Sequence, residues 1–517
     1  MSSTAKAKKG FVDRFLNFVE VVGNKIPDPM MLFVYLTVIL IILSAILSLF
    51  GASVASPQDP TERVEVFNLL SGAGIAHIFT NAVSNFMGFM PFGQVITVMI
   101  GIGVLEQTGL LSVALRKLVI SVPKGAITAA LVLAAILSNI ATDAGYVVII
   151  PLGAVLFKSM GRHPAAGLAA AFAGVASSFS ANFLVTPLDI ILAGITQEAV
   201  YAVDPYYEVS ILGNYIFMAA STVMLIIVIT IMTEKFVEPR LGKYDSKNAS
   251  AELPDDDASE LKDISDVEKR ALKMAGIALL ATAFVLSLLV WPSWAPLGPA
   301  EGARMTEAPF FTHLVPVLVV LFIVTGVVYG KVTGDIKGSA DVSKHITTTM
   351  ASMAAFIGLS FAASQFVNLF TVSNIGIVMS VSLSDFLQSI GFAGVPFIIV
   401  FMLLTAFVNL FILAAAAQWM IFAPIFIPIM MQMGYTPEFI QLAFRVADSP
   451  TNSISPVMAY FVLILITLQK YDKKAGVGTL VSLMIPFAIV IYILWSLLMF
   501  AWMFFDLPIG PGVGIYL

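Results

Sequence analysis

Two long stretches of this sequence carry almost no charge, and the residues at their ends restrict how they can enter a membrane. Residues 125–157 lie between Lys124 and Lys158 and contain one charged side chain, that of Asp143. Residues 386–437 contain no charged side chain at all. A helix needs only about 20 apolar residues to span the hydrocarbon core of a bilayer. Both stretches are therefore predicted to lie in a membrane.

The composition agrees with this prediction. Of the 517 residues, 59% are hydrophobic and 11% are charged, whereas a soluble domain carries about 25% charged residues. Soluble cores stop growing at roughly 250–300 residues, so the excess apolar surface must face lipid. Residues 30–50 are uncharged and longer than the apolar core of a signal peptide, which predicts a retained first span. The absence of cysteine excludes disulfides and cysteine metal sites.

Basic residues near the ends of spans mark the cytoplasmic side. They place the N-terminus inside, and they place both ends of residues 125–157 inside as well. Each arm of this stretch then has about 14–16 residues, too few to cross a ~30 Å core. Its middle, residues 138–145, reads SNIATDAG, which contains helix-breaking and capping residues. The pattern predicts a re-entrant hairpin with a polar tip; the alternative is one long kinked helix, which would invert everything downstream.

Residues 386–437 have no basic residue at either end, which predicts a second hairpin that enters from the opposite face. Taken together, the apolar stretches and the basic residues at their ends predict an all-α integral membrane protein with nine transmembrane helices and two re-entrant hairpins. Residues 66–90 are interrupted by Gly and Asn and are followed by Pro91, which favours an interfacial path. The predicted organisation is a cytoplasmic segment over 1–29, a first half over 30–232, a charged cytoplasmic linker over 233–273 and a second half over 274–517.

The two halves share a pattern of proline and glycine, P-x9-G-x2-P. It occurs as Pro151, Gly161 and Pro164, and again as Pro424, Gly434 and Pro437. Each copy follows the tip of a predicted hairpin (about 125–157 and 394–431) and precedes a span broken by polar residues (about 165–200 and 438–469). Inverted repeats with broken helices are typical of secondary transporters. Unpaired backbone at membrane depth is tolerated only around a cavity, so the breaks predict a mid-membrane site for substrate and ions.

Ionisable residues inside a membrane are costly and usually functional. The candidates are Asp143, Asp189, Arg445 and Asp448. Structural roles are the alternative, because Asp143 can cap a helix and Arg445 can pair with Asp448 three residues away. Amide oxygens near the tips and breaks could hold Na⁺ together with Asp448; they belong to Asn139, Asn182, Asn409 and Asn452.

Gln418 and Trp419 lie on the outgoing side of the second tip, where an indole could stack on an aromatic ligand. The alternative is a Trp of the core or of the interfacial belt. The four His are scattered, and the sequence has no Walker loop, H-E-x-x-H or G-x-S-x-G motif. No cofactor and no enzymatic activity are therefore predicted, and the only bound ion expected is a coupling Na⁺ or H⁺.

Several motifs resemble the AbgT family of the ion transporter superfamily, the p-aminobenzoyl-glutamate transporter type. They are Ser138-Asn139-x-x-Thr142, the stretch from Asn182 to Asp189, Gln418-Trp419, Pro437, and Arg445-x-x-Asp448-Ser449-Pro450-x-Asn452-Ser453. The resemblance implies a homodimer in the bacterial inner membrane that imports p-aminobenzoyl-glutamate, or exports p-aminobenzoate-like and sulfonamide antimetabolites, with an ion gradient. It also marks the residues expected to matter, which are Asp189, Trp419, Pro437, Arg445, Asp448 and Pro456. The second tip departs from the superfamily pattern, since it lacks a Ser-Asn-Thr triplet.

The resulting hypothesis is an alternating-access carrier for a small aromatic carboxylate. Arg445 and the helix N-termini at the tips would hold the carboxylate, Trp419 would contact the ring, and Asp189 or Asp448 would couple the ion. The expected partners are this substrate, the lipid bilayer and a second copy of the chain, and no nucleic acid. A Na⁺/dicarboxylate symporter of the same superfamily and a channel are the alternatives, and import and export both stay open.

Overall fold

The computed structural model describes residues 27–56, 61–140, 145–245, 264–292, 294–305 and 308–517. Asp143, nearly all of the predicted N-terminal segment and the middle of the predicted linker lie outside these residues. The described chain is helical except for one antiparallel hairpin, in which β1 (Ser53–Ala55) pairs with β2 (Arg63–Glu65).

Ten α-helices are described between residues 27 and 245. They are α1 Pro29–Leu49, α2 Gly72–Met87, α3 Met90–Gln107, α4 Leu110–Ile120, α5 Ile127–Leu137, α6 Ile150–Ser159, α7 Pro164–Phe172, α8 Pro187–Val200, α9 Tyr215–Ile231 and α10 Glu238–Leu241. Short 3-10 turns cover Lys124–Ala126 and Ser138–Ile140, and π-helical turns cover Gly145–Ile149, Ala173–Ser177 and Met232–Val237.

Eleven α-helices are described from residue 264 onward. They are α11 Asp266–Ser287, α12 Pro309–Thr312, α13 Leu314–Thr333, α14 Ser339–Ser352, α15 Ala354–Val372, α16 Ile375–Ser389, α17 Val395–Asn409, α18 Ala415–Gln432, α19 Pro437–Asp448, α20 Phe461–Tyr471 and α21 Val477–Phe504. A 3-10 helix, Ser449–Ile454, follows α19.

In the described part of the chain, eight helical units are long and apolar enough to cross a bilayer, or nine if the pair α4 and Lys124–Ile140, bent by 119°, counts as one span. Seven of them coincide with spans that the basic residues predict, at about 30–50, 93–111, 210–232, 274–291, 310–330, 346–370 and 475–505. The helices α2 and α3 together form one of these seven. The eighth, α18, is an arm of the predicted second hairpin. The predicted broken spans are divided into helices of at most 14 residues. The all-α class with broken helices is confirmed, and the count of nine stays a prediction.

The two predicted hairpins are helix pairs with non-helical tips. The first consists of α5 and α6, and the second of α17 and α18. Helices of 11 and 15 residues, α5 and α17, extend only about 16 and 22 Å. The first arm of each hairpin is therefore too short to cross a ~30 Å core. For the first hairpin this agrees with the short arms predicted from the sequence.

The repeated proline and glycine pattern folds into the same turn twice. Gly161 and Gly434 both adopt the left-handed conformation, with φ of 73° and 88°. In each copy the residue after the glycine donates a backbone hydrogen bond five residues back, Arg162 to Phe157 and Tyr435 to Met430, at 2.8 and 3.1 Å. This pattern closes a helix C-terminus. The proline that follows is the first residue of the next helix, α7 or α19, a position that needs no N–H.

Burial separates the helices into two classes. Every residue of α7 and of α19 is buried, although both are short. In α11 only Ala271 and Ala275 are buried, and α1 exposes apolar side chains along most of its length. Apolar side chains exposed on long helices are expected to face lipid. The short helices α7 and α19 thus lie in the interior, whereas α1 and α11 lie at the periphery, which positions the site described next.

Candidate functional site

The two helix breaks are in direct contact, although about 275 residues of sequence separate them. The Ser177 hydroxyl donates to the Ser453 hydroxyl at 2.7 Å. The Ser180 backbone N–H donates to the Ser449 hydroxyl at 3.2 Å, and the Asn452 amide donates to the Ala176 carbonyl at 3.2 Å. These side chains satisfy part of the backbone that the breaks leave open, as membrane depth requires.

An ion pair joins the two broken spans. Arg445 Nη2 on α19 lies 2.7 Å from Asp189 Oδ1 on α8, and 1% and 15% of these side chains are exposed. The same nitrogen donates to the Ser180 carbonyl at 2.7 Å. The other Asp189 oxygen accepts hydrogen bonds from the backbone and hydroxyl of Thr186, both at 2.7 Å, which caps the start of α8. The alternative pairing of Arg445 with Asp448 is therefore not the one formed.

Asp448, the last residue of α19, is completely buried. Its two carboxylate oxygens have no hydrogen-bond partner among the described residues, and neither does the amide oxygen of Asn409. The Asn409 amide nitrogen donates to the Asp448 carbonyl and to Asn452 Oδ1, both at 2.7 Å. A buried carboxylate without a hydrogen bond is costly, so the environment of Asp448 favours uptake of a cation or a proton.

In the first half, the side-chain amides of Asn139 and Asn182 donate to backbone carbonyls. The Asn139 amide donates to the Val175 carbonyl at 3.2 Å, and the Asn182 amide donates to the Ile136 carbonyl at 2.9 Å. Both bonds tie the first hairpin to the first break. Asn182 Oδ1 also accepts from the Leu184 N–H at 3.1 Å. The structure therefore brings Asn409, Asp448 and Asn452 together, whereas Asn139 and Asn182 bind backbone.

Gln418 and Trp419 are fully buried. The Gln418 amide donates to the Thr405 carbonyl at 2.9 Å. The indole N–H of Trp419 donates to the Thr196 hydroxyl at 2.9 Å, and its ring lies 4.7 Å from that of Phe444. A ligand would reach this ring only after α18 moves relative to α8, so ring contact stays a prediction.

The two predicted prolines bound the first part of the second broken span, which is α19 with the 3-10 helix that follows it. Pro437 is the first residue of α19. Pro456 follows Ser455, whose hydroxyl donates to the Leu410 carbonyl at the second tip at 2.8 Å. Both prolines therefore stand at points where this span must stop or start.

A chain of hydrogen-bonded polar side chains, which the sequence did not predict, leads from Trp419 toward the loop after α8. Thr196 donates to Gln441 at 2.7 Å, Gln441 donates to Asn214 at 3.1 Å, and Asn214 donates to the Glu438 carbonyl at 2.8 Å. The chain ends where the Tyr207 hydroxyl donates to the Glu438 carboxylate at 2.8 Å. Burial, with the nearby charge of Glu438, raises the pKa of Tyr207 above its ordinary value. The sequence feature that could have indicated this chain is the presence of polar residues within otherwise apolar helices.

No group of three or more His, Asp or Glu residues lies close enough to hold a metal ion within the described ranges. One carboxylate with neutral amide oxygens suits a weakly held monovalent cation better than a tightly bound divalent one, which takes several charged ligands. The arrangement can thus exchange a cation or proton at Asp448, and it can exchange a substrate carboxylate for that of Asp189 at Arg445.

Comparison with known proteins agrees with this architecture. Residues 14–517 match the model of the "AbgT putative transporter family". The p-aminobenzoyl-glutamate transport protein of Escherichia coli K12 is 37% identical over 500 residues, 97% of this chain and 96% of the relative.

Two solved structures are similar over nearly the whole fold. The YdaH transporter of Alcanivorax borkumensis is 39% identical with a TM-score of 0.87, covering 94% of this chain and 100% of that one. MtrF of Neisseria gonorrhoeae, described within a class of antimetabolite efflux pumps, is 41% identical with a TM-score of 0.90, covering 97% and 100%. These relatives are transporters and not enzymes. Because the family model matches residues 14–517 and these relatives are 37–41% identical over nearly their whole length, this chain belongs to the AbgT family of membrane transporters.

Proposed function

We propose that this chain is an ion-gradient-coupled carrier of p-aminobenzoyl-glutamate or of p-aminobenzoate-like antimetabolites, including sulfonamides, in the bacterial inner membrane. The roles named for its E. coli and N. gonorrhoeae relatives support the substrate class. The observation that carries the mechanism is the buried ion pair between Asp189 and Arg445. No relative reported above is a dicarboxylate symporter, so that alternative is not favoured.

The ion pair allows a substrate carboxylate to replace the carboxylate of Asp189 at Arg445. Arg445 is buried and always charged, so it needs an anion at all times. A substrate carboxylate can take that place only if Asp189 leaves or is neutralised, since the cost of an unpaired buried charge is several kcal/mol. Uptake of a cation or proton by Asp189 would thus free Arg445 for the substrate. Thr186, which already donates twice to Asp189, would hold the displaced carboxylate nearby.

Asp448 is the stronger candidate for the coupling ion. Its unpartnered oxygens and that of Asn409 lie where the second tip contacts the second break. Occupation by Na⁺ or H⁺ would remove the cost of the buried charge and would tighten the contact between tip and break. Release on the opposite side would loosen it. Carbonyl and carboxylate oxygens at interrupted helices are the ligands that coupling ions use in such folds.

The aromatic end of the substrate is assigned to the region of Trp419. Trp419 and Phe444 provide adjacent ring faces, and their burial in this state means that binding must accompany movement of the hairpin. We also propose that the functional unit is a homodimer, which the family resemblance supports.

The test is transport by the purified protein in liposomes. Uptake of labelled p-aminobenzoate and p-aminobenzoyl-glutamate would be followed under an imposed pH gradient, an imposed Na⁺ gradient, both and neither. We expect accumulation above equilibrium with one gradient, saturation with substrate, and no competition by succinate. Flux that never exceeds equilibrium would contradict the coupling, and non-saturating flux would indicate a channel.

A further inference from the structure

A cavity of about 1060 Å³ lies apart from the site around Asp189 and Arg445. Its walls come from both halves of the chain, namely the start of α7, the end of α9 with α10, the end of α20 and the start of α21. None of the predicted site residues lines it. Ligand pockets usually enclose about 300–1,000 Å³, so this space is large enough for a sizeable molecule. The basic residues nearby place it on the side predicted to be cytoplasmic.

Three cations line the mouth of the cavity: Arg240, Lys243 and Lys474. All three are exposed, and none forms an ion pair with another described residue. The neighbouring Arg162 differs, because it pairs with both Glu234 and Glu238. Among the described residues, Arg162 beside the cavity is thus paired with carboxylates, whereas the three cations that line the cavity form no ion pair.

Two carboxylates also line the cavity, those of Asp245 and Asp472. Asp472 Oδ1 is occupied by the Lys474 backbone N–H at 3.1 Å, which fixes the turn before α21. His163 adds no positive charge at neutral pH, because burial lowers its pKa although Glu238 and Asp472 oppose the shift. The lining therefore carries three cations against two carboxylates, with one carboxylate engaged in a turn.

Part of the lining is apolar. Met232 and Phe236 precede Arg240 along the chain, and Leu483 and Pro486 follow Lys474. Because α9 is predicted to end and α21 to begin on the cytoplasmic side, these four residues lie on the membrane side of the cations. The Phe236 side chain is 60% exposed. A water-soluble anion would leave this apolar part unused, whereas a lipid presents an anionic headgroup and an acyl chain in the same order as the cavity presents cations and apolar side chains. Basic pockets between transmembrane helices on the cytoplasmic side bind anionic headgroups.

We propose that this cavity is a binding site for an anionic phospholipid, with the phosphate at Arg240, Lys243 and Lys474 and an acyl chain along Phe236 and Leu483. The lipid would then contact both halves of the chain at once. Bound there, it would hold α10 against the start of α21. The proposal does not depend on the transported substrate, because it concerns a surface outside the transport site.

The experiment measures retained lipid and thermal stability of the full-length purified protein. Phosphatidylglycerol, phosphatidylcholine and inorganic phosphate are each added to delipidated protein, and bound lipid is counted by native mass spectrometry. The test variant is Arg240→Gln/Lys243→Gln/Lys474→Gln. The matched control is Lys331→Gln/Lys337→Gln/Lys344→Gln, which removes the same charge from exposed residues that do not line the cavity.

We expect wild type and control to retain phosphatidylglycerol in preference to phosphatidylcholine, with a raised Tm. The test variant should bind phosphatidylglycerol roughly a hundredfold more weakly, from the contribution of each basic residue near an anionic headgroup. The single variant Phe236→Ser keeps the charges and should weaken lipid binding without changing a response to phosphate. Equal retention by the two triple variants would overturn the proposal, because it would indicate general attraction to basic loops. Stabilisation by inorganic phosphate equal to that by lipid would overturn the lipid assignment.

Discussion

Arg445 and Asp189 lie on different halves of the chain, yet their side chains meet at 2.7 Å, with 1% and 15% of their surfaces exposed. The contact fixes α19 against the start of α8, where Asp189 also forms the capping box with Thr186. The proposed mechanism therefore links transport and stability at this pair, because any state that frees Arg445 also loosens the first break.

Asp189→Asn should lower both stability and transport. It leaves the Arg445 charge buried without a counter-charge, which costs about 3–5 kcal/mol when one partner of a buried pair is removed. The double variant Asp189→Asn/Arg445→Gln should be less destabilised than the sum of the two single variants, since no charge is then left unpaired. Thermal unfolding in detergent measures this double-mutant cycle, and additive losses would contradict a direct interaction.

Asp448→Asn should abolish ion-coupled accumulation without lowering the stability of the fold. Because the carboxylate oxygens of Asp448 have no hydrogen-bond partner among the described residues, their neutralisation should leave Tm unchanged or raise it. Gradient-driven accumulation should be lost while exchange of substrate across the membrane continues. A large fall in Tm would show that the carboxylate has a structural role instead.

Thr196→Val removes the hydrogen-bond acceptor of Trp419 and leaves the indole ring itself unchanged. The indole N–H would lose its acceptor at 2.9 Å, and an unsatisfied buried donor costs about 1–3 kcal/mol. We expect lower Tm with unchanged substrate preference. Trp419→Phe, by contrast, should raise KM for aromatic substrates if the ring contacts them, and an unchanged KM would exclude that contact.

Gly161→Ala and Gly434→Ala should each destabilise the protein by about 1–2 kcal/mol, the cost of a left-handed residue with a side chain. No atom lies within 4 Å of an added Cβ at either position, so the cost is conformational. Gly93→Ala is the control, because it also meets no atom but lies within α3 in an ordinary conformation. It should stabilise the helix by about 0.5–1 kcal/mol. Equal effects at all three positions would contradict the shared turn.

The Tyr207–Glu438 bond predicts a pH dependence of stability. Burial, together with the Glu438 charge, raises the pKa of Tyr207 in the folded protein, whereas an unfolded Tyr titrates near pH 10. The stability that Tyr207 contributes is therefore complete below about pH 10 and is lost as pH rises above it. Tyr207→Phe should be less stable than wild type at pH 8, and the difference should shrink toward pH 11. A constant difference would contradict the assignment.

The sequence predicted features that depend on local pattern or on charge at helix ends. The two hairpins, the two breaks and the repeated turn at Gly161 and Gly434 are of this kind. The sequence did not predict that Arg445 pairs with Asp189, because spacing favours the neighbour three residues away on the same helix. It also missed Thr196, Gln441 and Glu438. Their partners lie more than 200 residues away in sequence, and only packing brings them together.

The most direct test of the coupled-carrier account is accumulation of labelled p-aminobenzoate in liposomes by wild type and Asp448→Asn, measured side by side under a pH or Na⁺ gradient. The account predicts that wild type accumulates substrate above equilibrium with one of the two gradients, and that Asp448→Asn exchanges substrate but does not accumulate it. Accumulation by Asp448→Asn equal to that of wild type would contradict a coupling role for Asp448, and no accumulation by wild type under either gradient would contradict the account as a whole.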